Sequence, residues 1–305
     1  MMRQCTLVII FNHRYDANIE KLDKIYGKRF SDILFLVPFY NGSDNRVIPV
    51  YESSFQFQGY IAQGYKQIIE HDSKHYLFIG DDLILDPSIN ENNYQKYFNL
   101  EDDCSFIDGV DELADMKGWI YEERFLNAFL SFSRYNGTEY KSELMDSKTA
   151  FEIADKIGYN NKKITVSHFM KSPDTKRKKL SFIRKNTEHF YRLLKGYRIP
   201  YPLWGGYSDI VIIAHDDLES FSRMCGIFAA QDLFVEIAIP TAMMLNCKEV
   251  RFLRDINKKS KVMWTEEEKT DIELQYEKSY SRLESQWPKE TSYIHPVKLS
   301  RWSVE

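Results

Sequence analysis

An apolar stretch, His75–Leu85 (HYLFIGDDLIL), runs straight into two adjacent acids, Asp81 and Asp82. Carboxylates at the end of a buried strand can hold Mg²⁺ or Mn²⁺ while a substrate's phosphates fill the remaining coordination positions. The same dipeptide also makes an ordinary solvated turn, so its chemistry depends on what meets it. A second set lies near the C-terminus, where Tyr293-Ile-His-Pro-Val-Lys298 puts the imidazole of His295 three residues before the ammonium of Lys298. Imidazole ligates Mn²⁺, and an ammonium offsets charge on a departing anion. A third set begins at Trp204-Gly-Gly-Tyr-Ser-Asp209. Gly205 and Gly206 allow a ligand close to the backbone, and Asp209 is a further candidate acid that reads first as a loop hydrogen-bonder. In the following FAAQDLFVEIAIP, Asp232 and Glu236 are four apart and share a helix face. Glu236 sits among Phe234, Val235, Ile237, Ala238 and Ile239, where a carboxylate needs a partner or a task. A structural salt bridge, or a cap at Asp232, is the competing reading.

Regular elements must position these groups. Thr6–Phe11 is a wholly apolar run ending in Asn12, His13 and Arg14, and it reads as a buried strand. Ile19, Leu22 and Ile25 mark a helix over Asp16–Tyr26, with Asp16 as cap and Gly27 as stop. Asp32–Phe39 is a second strand, closed by Pro38 and a turn at Asn41-Gly42. Phe57, Ile61, Tyr65 and Ile68 mark another helix face, and His75–Ile79 is a third strand. Strands apolar on both faces and separated by helices imply a parallel sheet covered on both sides. Ligands of such sheets gather at the carboxyl ends of the strands, where Asn12–Arg14, Pro38–Tyr40 and Asp81–Asp82 converge. Residues 111–198 are charged and helix-prone and read as a helical insertion. They contain the run Lys171–Lys185, with seven basic residues and one Asp. Beyond Pro200, Ile210–Ala214 reads as a strand. Leu218–Phe228 and Asp232–Leu245 read as helices, the second broken at Pro240, and 264–286 reads as one polar helix. The expected organisation is one α/β domain made of a half over 1–110, the insertion over 111–198, and a half over 199–305.

Composition narrows the classes. The 305 residues carry 41 Lys+Arg against 45 Asp+Glu, a net charge of −4, which argues against a surface built to neutralise nucleic-acid phosphate. With 43% hydrophobic and 28% charged residues the chain is a folded protein rather than a disordered one. Cys5, Cys104, Cys225 and Cys247 form no CxxC pair, so no zinc or disulfide framework is legible. The N-terminal MMRQCTLVIIF is a poor signal peptide. Ile227–Leu245 is interrupted by Gln231, Asp232, Glu236 and Pro240 and is a poor membrane span. A reducing, cytoplasmic setting is expected, in which the sequons at Asn41 and Asn136 are idle. No P-loop or GxGxxG follows any strand.

The stretch ending in Gly80-Asp81-Asp82, the His295–Lys298 segment and the Trp204–Asp209 loop together resemble the GT-A glycosyltransferases, loosely over 1–100 and 199–305. The resemblance implies a GT-A-like, mostly parallel α/β sheet flanked by helices. It implies transfer of a sugar from a nucleotide-diphosphate donor, a UDP-sugar first among them, to a glycan or lipid-linked acceptor. By that resemblance Asp82 and His295 would hold Mn²⁺ or Mg²⁺. Asp81, Phe11, Asn12 and Arg14 would contact the nucleoside, and Lys298 the diphosphate. Glu236 or Asp232 would act on the acceptor hydroxyl. Gly80 stands where many members carry a third acid, which leaves the division of roles between Asp81 and Asp82 open. It also keeps a non-catalytic nucleotide-sugar or glycan-binding protein as the alternative. Gly-Asp-Asp also ends a metal motif of RNA-dependent polymerases, but the Asp32 strand begins with its acid instead of ending in one. The loop after the first strand lacks the Gly-rich, Arg-containing pattern of a sugar nucleotidyltransferase. The run Lys171–Lys185 is expected to touch an anionic membrane peripherally, to hold an acidic glycan, or to form a solvated helix or loop.

Overall fold

A computed structural model describes residues 2–116, 140–165, 191 and 194–305. In chain order the first elements are β1 (Arg3–Ile10), α1 (Ala17–Tyr26), β2 (Ile33–Pro38), β3 (Val47–Val50), α2 (Gln58–Ile69), β4 (Ser73–Gly80) and β5 (Ile84–Leu85). Then come α3 (Tyr94–Phe98), β6 (Cys104–Ile107), β7 (Asp111–Glu112), α4 (Tyr140–Glu143) and α5 (Ser147–Lys156). The remainder is β8 (Trp204–Gly205), β9 (Ile210–Ala214), α6 (Leu218–Ala230), α7 (Val235–Asn246), β10 (Glu249–Phe252), β11 (Lys259–Val262), α8 (Glu266–Gln275), α9 (Tyr280–Ser285) and β12 (Thr291–His295).

The fold is α/β, built on a seven-stranded sheet ordered β10-β6-β9-β4-β1-β2-β3. Its pairs are parallel except those of β9, which runs against both β4 and β6. Side chains alternate across a strand, so β1 sends Val8 and Ile10 into one core with α2, α6 and α7. Leu7 and Ile9 enter the other, against Ile19, Leu22 and Ile25 of α1 and the C-terminal Leu283 and Trp302. Both faces are therefore dry, which is why the central strands read as unbroken apolar runs. A second sheet, ordered β11-β12-β5, begins two residues after Asp82 and ends on His295.

Several expectations change. Helix α7 starts at Val235 rather than Asp232, because Asp232 takes a left-handed φ of 56° and Leu233 N–H closes onto Phe228 O at 2.9 Å. Pro240 does not break it. Proline lacks the N–H that would meet the carbonyl of Glu236, and the N–H of Gly206 supplies that bond at 2.9 Å instead. The polar segment 264–286 is two helices, parted at Glu277 and Lys278, both with positive φ. The tail crosses at this break, with Ser303 N–H bonded to Lys278 O and Tyr280 N–H to Ser303 O. The split lets Ile272, Tyr276, Tyr280 and Leu283 all reach the core. Asp16 makes no side-chain cap and pairs with Arg14 instead. The part of 111–198 that is described is joined to the main body: α5 buries Ala150 and Ala154 in the core beside α7. The run Lys171–Lys185 and the Asn136 sequon lie outside the described residues. No described helix is long and apolar enough to cross a membrane.

Candidate active site

Strand β4 ends at Gly80, and the next two residues turn out of the sheet at its carboxyl edge. Asp81 N–H stays in register, bonded to Ile10 O of β1 at 2.9 Å. Its carboxylate is 8% exposed and accepts from Asn12 N–H at 3.2 Å and from Asn18 Nδ2 at 3.5 Å. Burial, then the charge of Asp82, push its pKa up to about 7, against the pull of those two donors.

Asp82 faces the opposite way, toward β12. The antiparallel pairing of Ile294 with Ile84, and the bond from Val297 N–H to Asp82 O at 2.7 Å, hold the C-terminal segment across the acid pair. This brings His295 Nε2 to 3.0 Å from Asp82 Oδ1. Strand β9 contributes the third carboxylate. Because it runs against β4, the residue before it, Asp209, arrives beside Gly80, whose N–H bonds Asp209 O at 3.0 Å. Asp209 Oδ1 lies 3.9 Å from His295 Nε2. Burial raises the Asp209 pKa, with the Asp82 charge adding to it and His295 opposing it. For His295, burial works against the imidazolium. The hydrogen bond to Asp82 and the charges of Asp209, Asp82 and Asp81 outweigh it, so it titrates above the ordinary histidine range.

A Cβ at Gly80 would lie 3.4 Å from Asp82 Oδ1 and 3.5 Å from Asp209 Oδ1, so its absence leaves a cradle between the two carboxylates. Hard oxygens with one imidazole are ligand types that suit Mn²⁺ or Mg²⁺. Among the described residues no three His, Cys, Asp or Glu side chains are spaced as a finished metal site. His295 Nε2 lies between the two acids. His295 Nδ1 is buried without a hydrogen-bond partner.

Three further residues shape this site, none of them singled out as a functional group in the sequence. Tyr207 stacks on Tyr293, with ring centroids 5.6 Å apart and planes 9° from parallel, and meets His295 edge-on at 5.6 Å. Tyr293 OH donates to Asp108, which follows β6, and burial raises the Asp108 pKa. Asp108 could have been found only by recognising the four-residue strand before it.

The other candidates are more scattered. Phe11 is fully buried with its ring edge-on to Phe35, so its side chain belongs to the core. Asn12 meets Asp81 through its backbone. Arg14 is exposed, bonded to Phe39 O at 3.2 Å, to Asp16 and to Asn41. Lys298 is exposed and lines a shallow depression with Glu266, Lys269 and Arg301. Asp232 is exposed and accepts from Gln56 Nε2 at 2.7 Å. Glu236 is half-buried in the first turn of α7, where its carbonyl ties the Gly205-Gly206 loop to the helix. All of these side chains except Phe11 stand at the carboxyl end of the sheet. Asp82, Asp209 and His295 are the ones that meet, with Asp81 beside them.

No family model matches the chain, and no curated protein matches it. Among solved structures it is similar to the Mn/GDP form of core-mannan synthase A from Aspergillus fumigatus. The two share 12% sequence identity at a TM-score of 0.34, over 83% of this chain and 73% of that one.

Proposed function

We propose that this protein is a metal-dependent glycosyltransferase that moves a sugar from a nucleotide-diphosphate donor to a hydroxyl of a glycan or lipid-linked glycan. The observation that carries this reading is the meeting of Asp82, Asp209 and His295 around the Gly80 cradle, next to the buried Asp81. Asp82 and His295, joined by Asp209, would hold Mn²⁺ or Mg²⁺. A bound divalent ion there supplies charge stabilisation for a diphosphate leaving group.

The chain's own residues do the rest. Asp81, fixed by Asn12 and Asn18, accepts a hydroxyl of the donor's ribose. Arg14 and the Asn12 backbone flank the nucleoside. Lys298, three residues past His295, takes charge from the departing diphosphate. The transfer breaks the bond from the sugar's anomeric carbon to the phosphate oxygen and forms one to the acceptor oxygen. The acceptor's proton goes to a carboxylate on the α7 side, Glu236 first and Asp232 second. A positioned base contributes about 10²–10⁴-fold.

A thermal-shift panel of nucleoside diphosphates and their sugars, with and without Mn²⁺, tests the binding half. At 100 times Kd a bound ligand adds about 2.7 kcal/mol of stability. No metal-dependent response to any of them sinks the proposal. Binding without hydrolysis or transfer of any sugar nucleotide selects the non-catalytic binding protein instead, the reading suggested by an acid set that lacks a finished ligand triad.

A further inference from the structure

Four of the ten large apolar side chains that stand exposed among the described residues gather in the loops after β1, β2 and β3. They are Tyr15, Phe39, Tyr51 and Phe55, at the carboxyl edge of the sheet. Exposed apolar residues scattered singly need no explanation, but a cluster marks a binding surface. Pro38 and Val50 are the last register partners of β2 and β3, so Phe39 and Tyr51 leave the sheet side by side. Their rings meet edge-on with centroids 5.7 Å apart, yet the two residues remain 60% and 62% exposed. The backbone beneath them is fixed. Phe39 N–H donates to Val50 O at 2.9 Å, and Phe39 O accepts from Arg14 Nη1 at 3.2 Å. These bonds hold Phe39 at a φ of 56°, a left-handed conformation unfavourable for so bulky a residue. Gln63 of α2 holds Tyr51, accepting from its N–H at 2.8 Å and donating to its carbonyl at 3.5 Å. A rigid backbone thus presents two open rings to water.

Charge and position select the ligand. The arginines at this rim are already paired, Arg14 with Asp16 and Arg46 with Asp23 and Asp44, which leaves no free guanidinium there for a phosphate or an anionic lipid headgroup. Open aromatic rings beside paired charges suit the C–H face of an uncharged sugar ring. The loop after Tyr51 leads into α2, which shares a core with α6 and α7, and Gln56 Nε2 of that loop donates to Asp232 Oδ1 at 2.7 Å. The rings therefore border the side where the proton acceptors proposed above stand. Asp81 is held instead by Asn18 of α1, a helix packed on the opposite face of the sheet. We propose that Phe39 and Tyr51 form a platform for a sugar ring of an uncharged glycan. On the transferase reading that glycan is the acceptor; the sugar platform itself does not need that reading.

The test is an array of neutral hexose oligosaccharides probed with the labelled protein, followed by titration calorimetry with the best-retained one. Phe39→Asn combined with Tyr51→Ser removes both rings, and asparagine accepts the left-handed backbone, so the ligand-free melting temperature should hold. This double variant is expected to weaken oligosaccharide binding about tenfold or more, the loss of two ring contacts. Tyr51→Trp keeps a ring and should bind at the parent level. Metal-dependent stabilisation by nucleoside diphosphates should be the same in the parent and in every variant. If the double variant does not fold, Phe39→Asn decides alone. Retention of no oligosaccharide, or binding indifferent to loss of the rings, overturns the proposal. Loss of nucleoside diphosphate binding with oligosaccharide binding intact also overturns it and gives the rings to the nucleobase. Ring-dependent flotation with phosphatidylglycerol vesicles in place of oligosaccharide binding overturns it in favour of a membrane. Ring-dependent oligosaccharide binding by a protein that ignores every nucleotide leaves the platform standing and removes the transferase reading.

Discussion

Two histidines buried in this molecule live in opposite conditions. His75 starts the inner part of β4, at the amino end of the sheet, fully buried and satisfied on both nitrogens. Nε2–H donates to Cys104 O at 3.1 Å, and Nδ1 lies 2.8 Å from the Tyr94 hydroxyl. Burial lowers its pKa, so it is neutral. His295, at the carboxyl end, leaves Nδ1 without a partner and shares Nε2 between Asp82 and Asp209. The carboxylates follow the same divide. Asp102 and Asp103, at the amino end, and Asp44, in the β2–β3 connection, each have a basic partner and sit below the usual range. Arg46 hydrogen-bonds Asp44, Gln95 and Lys74 bond Asp102, and Lys248 bonds Asp103. Asp81, Asp108 and Asp209, at the other end, are raised by burial, and no lysine or arginine pairs with them among the described residues. Asp217 is the exception at the amino end. Burial raises it, yet it accepts from Ser105 and from the backbone of Lys248. One end is closed and complete, and the other gathers buried acids around a half-satisfied histidine.

That contrast can be broken by measurement. The largest effect is expected from His75→Ala, which opens a cavity and strands the Cys104 carbonyl. Urea unfolding should show a loss of about 3–5 kcal/mol, and a loss below 1 kcal/mol would mean the network is ornamental. Asp82→Asn should act on function rather than fold. Metal-dependent nucleotide binding should fall about 10²-fold or more, while the ligand-free melting temperature holds or rises. A variant that still binds nucleotide with its metal dependence intact removes Asp82 from the site. Asp209→Asn is expected to raise ligand-free stability by about 0.5–2 kcal/mol, since it removes a buried acid beside another acid; differential scanning calorimetry reads this directly, and a clear loss of stability contradicts the repulsion.

The smallest effect concerns pH. Asp44 has a depressed folded pKa, so its pair with Arg46 contributes above the unfolded carboxylate value and is lost as pH falls through the folded one. Solvent screening limits it to about 0.5 kcal/mol. Asp44→Asn should therefore destabilise slightly at pH 7, with the difference from the parent shrinking on acidification. A difference that grows in acid has the wrong sign for this account.

The sequence by itself determined the parallel core. Strands such as Thr6–Phe11 and His75–Ile79 are apolar on both faces, and only a sheet covered on both sides can dry both. It also determined that Asp81 and Asp82 end one of those strands, because local chemistry alone put two acids after an apolar run. Three things waited for the tertiary structure. Asp209 joins the acids because β9 runs backward beside β4, and strand direction depends on connections far away in the chain. His295 reaches Asp82 across 213 residues of sequence through a two-residue strand, β5, too short to show a period. Pro240 stays inside its helix because Gly206, from another segment, bonds the carbonyl that proline leaves open. Each is a contact between segments distant in sequence, and patterning within a segment reports which face is buried, not what will meet it there.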